Sequence, residues 1–330
     1  MCIRDRDQIM GMASSWSSGY NYRLINAGEI ENKGIEIALN TRLIQTKDFS
    51  WDLNLNFSKN QNKVKELVDG VDMFELEKAS WLDVQVAAKV GENYGSIIGP
   101  DFQRNENGDI LIDPSTGLPM YDKSSHILGN ASWDWTGGLV TTLAYKNLSL
   151  SAVFDVKVGA DLYSMSARSA YESGKALETL QGREEWYRSE EQRKAAGFPK
   201  GSPDWKPTGG FIAPGVIDNG DGTYRPNDIY INPEDYWMSV CRNAPSMFIY
   251  DNSYVKCREL TLTYQFPKKL LKNVVDNLTI SFVARNPFIV YKNIPNIDPD
   301  SNYNNTTGMG LEYGSLPSRK SYGFNVNIKF

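Results

Sequence analysis

The side chains of this 330-residue chain that could do covalent or metal chemistry are few: three cysteines, one histidine and some acidic turns. Cys2, Cys241 and Cys257 show no Cys-x-x-Cys spacing and have no histidine nearby, which argues against a zinc site. An oxidising compartment would permit a Cys241–Cys257 bridge, with two isolated thiols as the alternative. His126 lacks the partner spacing that nucleophilic catalysis or metal ligation needs. The run from Asp218 to Gly222 (DNGDG) has the carboxylate density of a calcium loop but not its alternating oxygen ligands or closing glutamate. A tight turn accounts for it, since Asn-Gly and Asp-Gly favour positive φ. The stretch from Asn296 to Asn305, with Asp298 and Asp300, reads the same way. Gly91 to Gly95 (GENYG) has neither the phosphate-loop lysine nor the dinucleotide glycine spacing. Paired glycosidase carboxylates would need a cleft that sequence does not reveal. We therefore expect no cofactor, no metal and no enzyme activity.

Composition narrows the class. The 35 basic and 40 acidic residues give a net charge of −5, which offers no footprint for nucleic acid. With 8 Trp, 18 Tyr and 13 Phe the chain carries too much burial-seeking surface to be disordered. No stretch approaches the ~20 apolar residues of a membrane helix.

The dominant pattern is alternation with period two, the mark of strands with one apolar and one polar face. It runs through Ile35–Leu39, Phe49–Phe57, Leu82–Val90, Leu148–Val156, Leu260–Phe266, Leu278–Ala284 and Tyr322–Phe330. Weaker strands near Tyr94–Phe102 and Trp133–Tyr145 bring the expectation to about nine. Their connections alternate in length. Short ones lie at Gln45–Asp48, Gly91–Asn93, Lys146-Asn147 and Pro267–Asp276, and long ones at Lys59–Ala79, Arg104–Leu128, Gly159–Ser253 and Asn286–Pro317. Tight turns on one side and extended loops on the other are the habit of outer-membrane barrels, and a Greek-key sandwich has no reason to follow it. The expected fold is all-β: an antiparallel transmembrane β-barrel fragment with long extracellular loops, one of them (159–253) carrying short helices around Leu162–Leu177 and Arg183–Lys194. Aromatic rings near the strand ends, such as Phe49, Tyr145, Tyr264 and Phe266, would form interfacial girdles.

Several stretches together resemble the SusC/RagA family of TonB-linked outer-membrane proteins (TonB-dependent receptors) of the Bacteroidetes, in their C-terminal part. They are Glu31–Leu39 (ENKGIEIAL), Phe49–Asn60 (FSWDLNLNFSKN), Tyr145–Phe154 (YKNLSLSAVF), Ser253–Tyr264 (SYVKCRELTLTY), Ala284–Phe288 (ARNPF), Asn296–Asp300 (NIDPD) and the strand Arg319–Phe330. Cys257 departs from the bulkier apolar residue usual there. The resemblance implies a barrel of about 22 strands around a plug domain. It also implies energy from TonB, a SusD-like surface lipoprotein as a lid, and a glycan or, less often, a peptide substrate. Residues 11–330 would be barrel, residues 1–10 (beginning MCIRDR) an assembly remnant, and the plug and TonB-contacting segment would lie outside this chain.

Three groups of candidate residues follow. Tyr322, Phe324, Val326, Ile328 and Phe330 look like the outer-membrane insertion signal, against the alternative of a last strand in a soluble core. Asp52, Asn54, Asn56, Asp83, Gln85, Thr263, Gln265, Asn325 and Lys329 would face a polar lumen, with the alternating apolar residues against outer-membrane lipid. In the long loop Trp205, Phe211, Tyr224, Tyr230, Tyr236 and Trp237 would either stack on ligand or lid, or pack the loop against itself. The rival readings are a secreted carbohydrate-binding or glycosidase β-sandwich and a passive porin or adhesin barrel.

Overall fold

The computed structural model describes residues 2–5, 9–13, 17, 19, 22–26, 28–68, 70–78, 84–271, 275–304 and 308–330. Its main feature is an eight-stranded antiparallel sheet in which neighbours in sequence are neighbours in space. We number its strands β1 (Cys2–Asp5), β2 (Glu29–Gln45), β3 (Phe49–Glu66), β4 (Trp135–Tyr145), β5 (Leu148–Val158), β6 (Tyr254–Gln265), β7 (Asn277–Lys292) and β8 (Ser321–Lys329). The first of these falls within the segment expected to be a remnant, and it pairs with Ile30–Lys33 of β2. From β2 onward the links at one end are short. β2 and β3 join through Thr46–Asp48, β4 and β5 through Lys146-Asn147, and β6 and β7 through a 3₁₀ turn at Lys268–Leu270. Lys146 takes a φ of 52° to close its two-residue turn, and its N–H donates to the Asp48 carbonyl of the adjacent turn at 2.7 Å. At the other end every link is long, so the length asymmetry read from the sequence is present.

Two of the expected wall strands are elsewhere. Gln85–Lys89 and Ser96–Phe102 pair with each other and with Met73–Lys78 and Tyr121–Asn130 in a separate four-stranded sheet, inserted between β3 and β4. The reason is visible in burial: Ala87 and Ala88 are both inaccessible, as are Ile97 and Ile98, so these strands are covered on both faces. The Gly91–Asn93 turn therefore belongs to the long-loop end, where it is held to the top of β3 by Gly91 and Glu92 bonding Val64.

The β5–β6 connection folds as a cap. It contains α1 (Met165–Glu172), α2 (Arg183–Ala195), α3 (Pro233–Asn243) and the hairpin Val216–Asp218/Tyr224–Pro226. Asp161–Ser164 pairs with Ile249–Asp251 and, in parallel, with Leu311–Glu312 of the β7–β8 connection, so two long connections share one small sheet. The two larger apolar cores among the described residues are shared between this cap and the segment inserted between β3 and β4: one around Val84, Val86, Ile97, Tyr163, Phe248 and Leu311, the other around Phe102, Ile112, Phe211, Tyr236, Trp237 and Val240. Neither contains the alternating apolar rows of the wall.

Candidate functional site

The register of the wall sorts its side chains into two faces. One apolar row reads Trp51, Leu143, Leu150, Leu262, Phe282, Phe324 across successive strands, and the next reads Phe49, Tyr145, Leu148, Tyr264, Ile280, Val326. Leu150, Leu262 and Phe282 stand well exposed, and Phe324 is 79% exposed. From Leu148 to Val156 this face runs roughly 26 Å along a strand at about 3.3 Å per residue, matching the ~25 Å apolar band of membrane barrels. Rings mark its limits. Phe57 meets Trp135 at 5.6 Å near one edge, and Tyr264 meets Phe266 at 5.0 Å near the other. Among the described residues no second sheet covers the band, which contradicts the sandwich alternative.

The opposite face carries most of the predicted lumen residues. Asp52 accepts from Arg42 Nε at 2.6 Å and lies opposite Thr142; Asn54 lies opposite Asn40, and Asn56 opposite Gly138. Thr263 shares a hydrogen bond with Ser281 at 2.8 Å, Gln265 donates to Asn277 at 3.1 Å, Asn325 pairs with Ser281 and Lys329 with Asn277. Gln85 is a correction: it sits in the four-stranded sheet, beside Ile98, Lys123 and Arg242, not on the wall. Asp83 lies outside the described residues. The apolar residues proposed as an insertion signal, Tyr322, Phe324, Val326 and Ile328, share the apolar face of β8, with Phe330 just beyond its end.

The polar face also holds a charge cluster that the sequence reading missed. Lys256, 2% exposed, places its Nζ 2.6 Å from Asp300 and 3.1 Å from Asp298, and donates to Ser318. Arg258 binds Asp155 through Nε at 3.0 Å and reaches Asp300 through Nη2 at 2.8 Å, while Tyr254 donates its hydroxyl to Asp300 at 3.0 Å. Burial alone would raise the Asp300 carboxyl, but hydrogen bonds from Arg258 and Lys256 outweigh it and hold the group well below the usual carboxylate range. The β7–β8 connection has a second anchor in Glu312, a buried carboxylate that accepts from Ser164 Oγ (2.8 Å), Ser166 Oγ (2.7 Å) and Ser315 N (3.1 Å). The motifs SYVKCREL and NIDPD thus meet in space, more than 40 residues apart in sequence.

In the cap, Phe211, Tyr236 and Trp237 are buried and in mutual ring contact at 4.5 to 6.3 Å. Trp205 packs on Phe198 at 5.7 Å, whereas Tyr224 and Tyr230 are exposed. The helices expected near Leu162–Leu177 and Arg183–Lys194 are α1 and α2; α3 was not foreseen. Its start is written in Asn232-Pro233-Glu234-Asp235: an N-cap whose Oδ1 accepts from Glu234 N at 3.1 Å, proline in the first turn, then two acids favourable to the helix dipole. Asp218 and Asp221 satisfy their own turn, accepting from Gly220 N (2.7 Å) and Thr223 N (2.9 Å). His126 lies on a strand of the inserted sheet, 3.0 Å from Asp122. Cys241 and Cys257 are both free and buried, and burial pushes the Cys241 thiol up to about 12.

No protein-family model matches the chain. Among curated proteins it is 25% identical over 340 residues to TonB-dependent receptor P3 of Formosa agariphila, covering 95% of this chain and 30% of that one. It is 21% identical over 318 residues to TonB-dependent receptor SusC of Bacteroides thetaiotaomicron, covering 92% and 27%. Among solved structures, a chain of the RagAB peptide importer in its closed-closed state superimposes with a TM-score of 0.66 at 18% identity, over all of this chain and 33% of that one. The chain thus spans about a third of the length of its relatives, and its fold is that of a segment of their antiparallel transmembrane barrel. By sequence from end to end and by fold, the chain matches one third of a TonB-dependent receptor of the SusC/RagA type.

Proposed function

We propose that this chain is part of the wall and extracellular cap of a TonB-dependent outer-membrane importer for nutrient polymers, oligosaccharides in the first instance. The observation that carries the reading is the two-faced wall, apolar and uncovered on one side, polar and hydrogen-bonded on the other. An aqueous bore behind a lipid-facing band is what passage of a polar polymer requires. The chain itself makes and breaks no covalent bond in this account. Plug displacement, driven by TonB, belongs to the part of the receptor outside it, and a SusD-like lipoprotein closes over residues 159–253. In this reading β8, from Tyr322 to Phe330, is what the barrel-assembly machinery recognises.

A peptide cargo is the second reading, favoured by the shared fold with the RagAB peptide importer. Growth separates the two. A strain lacking the full-length gene should lose growth on one polysaccharide as sole carbon source while keeping growth on its monosaccharides and on peptides. Loss on peptides alone would support the second reading, and unaltered growth on every polymer would remove the importer assignment.

A further inference from the structure

The cap holds a cavity of about 240 Å³ between α1, the 3₁₀ turn Leu177–Leu180, α2 and α3. Four aromatic residues line it: Tyr171 and Trp237, in contact at 4.7 Å, and Trp186 and Tyr187, from the first turns of α2. Trp186 sits against Gly210, where a Cβ would fall 3.0 Å from its ring. Tyr187 is 66% exposed, a large ring that packing does not explain. Two carboxylates border the space, Glu172 at the end of α1 and Glu234 in the first turn of α3.

We propose that this cavity is a subsite for a single pyranose unit of a neutral glycan, a proposal that rests on the importer reading above. A slot faced by aromatic rings suits the apolar C–H face of a sugar ring, and the bordering carboxylates accept its hydroxyl hydrogens. One feature sets it against a cationic peptide side chain. Arg183 lines the same cavity, held by its bonds to the carbonyls of Thr179 (2.6 Å) and Gly174 (2.9 Å), so a positive charge is already built in. Trp237, 8% exposed, contributes the rest of its ring to the apolar core beneath the cavity.

The test is saturation-transfer NMR on the intact protein in detergent micelles. The probes are the methyl glycosides of glucose, galactose, mannose, xylose and N-acetylglucosamine, with N-acetyl-lysine amide as the cationic control. Transfer to the ring C–H protons of at least one glycoside is expected. The binding should weaken roughly tenfold in Trp186→Ala and Tyr187→Ala, and survive in Tyr187→Phe. Tyr187 is exposed, so its variants fold whatever the fate of the Trp186 variant. Absence of transfer to all five glycosides, transfer equal in Tyr187→Ala and the parent, or transfer to the lysine probe alone would overturn the subsite. Such a failure with polysaccharide growth intact leaves the importer reading standing, whereas loss of that reading shows in growth.

Discussion

Replacing Lys256 by methionine keeps the aliphatic stem and removes the charge on which Asp298 and Asp300 converge. Removing one partner of a buried ion pair costs about 3–5 kcal/mol, because the other charge is left without compensation. Here Asp300 keeps Arg258 and its side chain is 28% exposed, so the low end applies, about 3 kcal/mol. At about 1.4 kcal/mol per decade that is roughly a hundredfold rise in the population of the opened β7–β8 connection. Hydrogen exchange read by mass spectrometry should show it as a hundredfold loss of protection in peptides from 296–304 and 308–320, with β5 and β6 unchanged. The double variant Lys256→Met/Asp298→Asn should recover part of the loss, since the uncompensated charge is gone. The pH dependence has a definite sign. Asp300 has its carboxyl depressed in the fold, so its contribution is present above its unfolded value of 3.8 and disappears as pH falls through the lower folded value. Protection corrected for intrinsic exchange should stay level from pH 7 to about 5 and decline only below about 4. Equal protection in parent and Lys256→Met at neutral pH would mean that the cluster does not hold the connection.

Three further outcomes are expected. Leu150→Arg, on the apolar band, should lower stability by about 2–4 kcal/mol in urea titrations of the protein in bilayers, while Ser151→Arg on the opposite face should change it by less than about 1. With Cys2 replaced by serine, Ellman's reagent should find almost no thiol in the native protein at pH 8 and two after denaturation, because Cys241 and Cys257 are buried and unbridged. Phe330→Ser should reduce the fraction of the full-length protein that reaches a heat-modifiable folded form in the outer membrane by several-fold, and unaltered assembly would remove the signal role of β8.

The alternation in β3, β5, β6 and β8 was legible because each strand there has one apolar, uncovered face and one polar face, and a period of two records that directly. The same rule misplaced Gln85–Lys89 and Ser96–Phe102. Val84, Val86 and Ala88 alternate well, yet Ala87 between them and the adjacent Ile97-Ile98 already indicated strands covered on both faces. The polar residues predicted on the true wall strands therefore share one face, while Gln85 went with its strand into the inserted sheet. The Lys256–Asp298–Asp300 cluster was not legible as a unit, because Lys256 lies on β6 and the two aspartates on the β7–β8 connection, and their meeting depends on long-range folding. Its only local sign was two cations, Lys256 and Arg258, two apart on one strand face. Helix α3 was legible from its N-cap, but the aromatic density around it drew the reading to Tyr236 and Trp237, as ligand contacts or as rings packing the loop against itself. In the fold both rings belong to the second cap core, and Trp237 also lines the cap cavity.

The two-faced wall is open to one experiment: nitroxide labels placed singly at positions 148 to 153 on β5, with collision rates measured against oxygen, which concentrates in lipid, and against a water-soluble nickel chelate. The prediction is oxygen maxima at 148, 150 and 152, nickel maxima at 149, 151 and 153, and the two patterns out of phase. Oxygen and nickel profiles that rise and fall together, or an absence of period two, would contradict a wall with lipid on one side and water on the other.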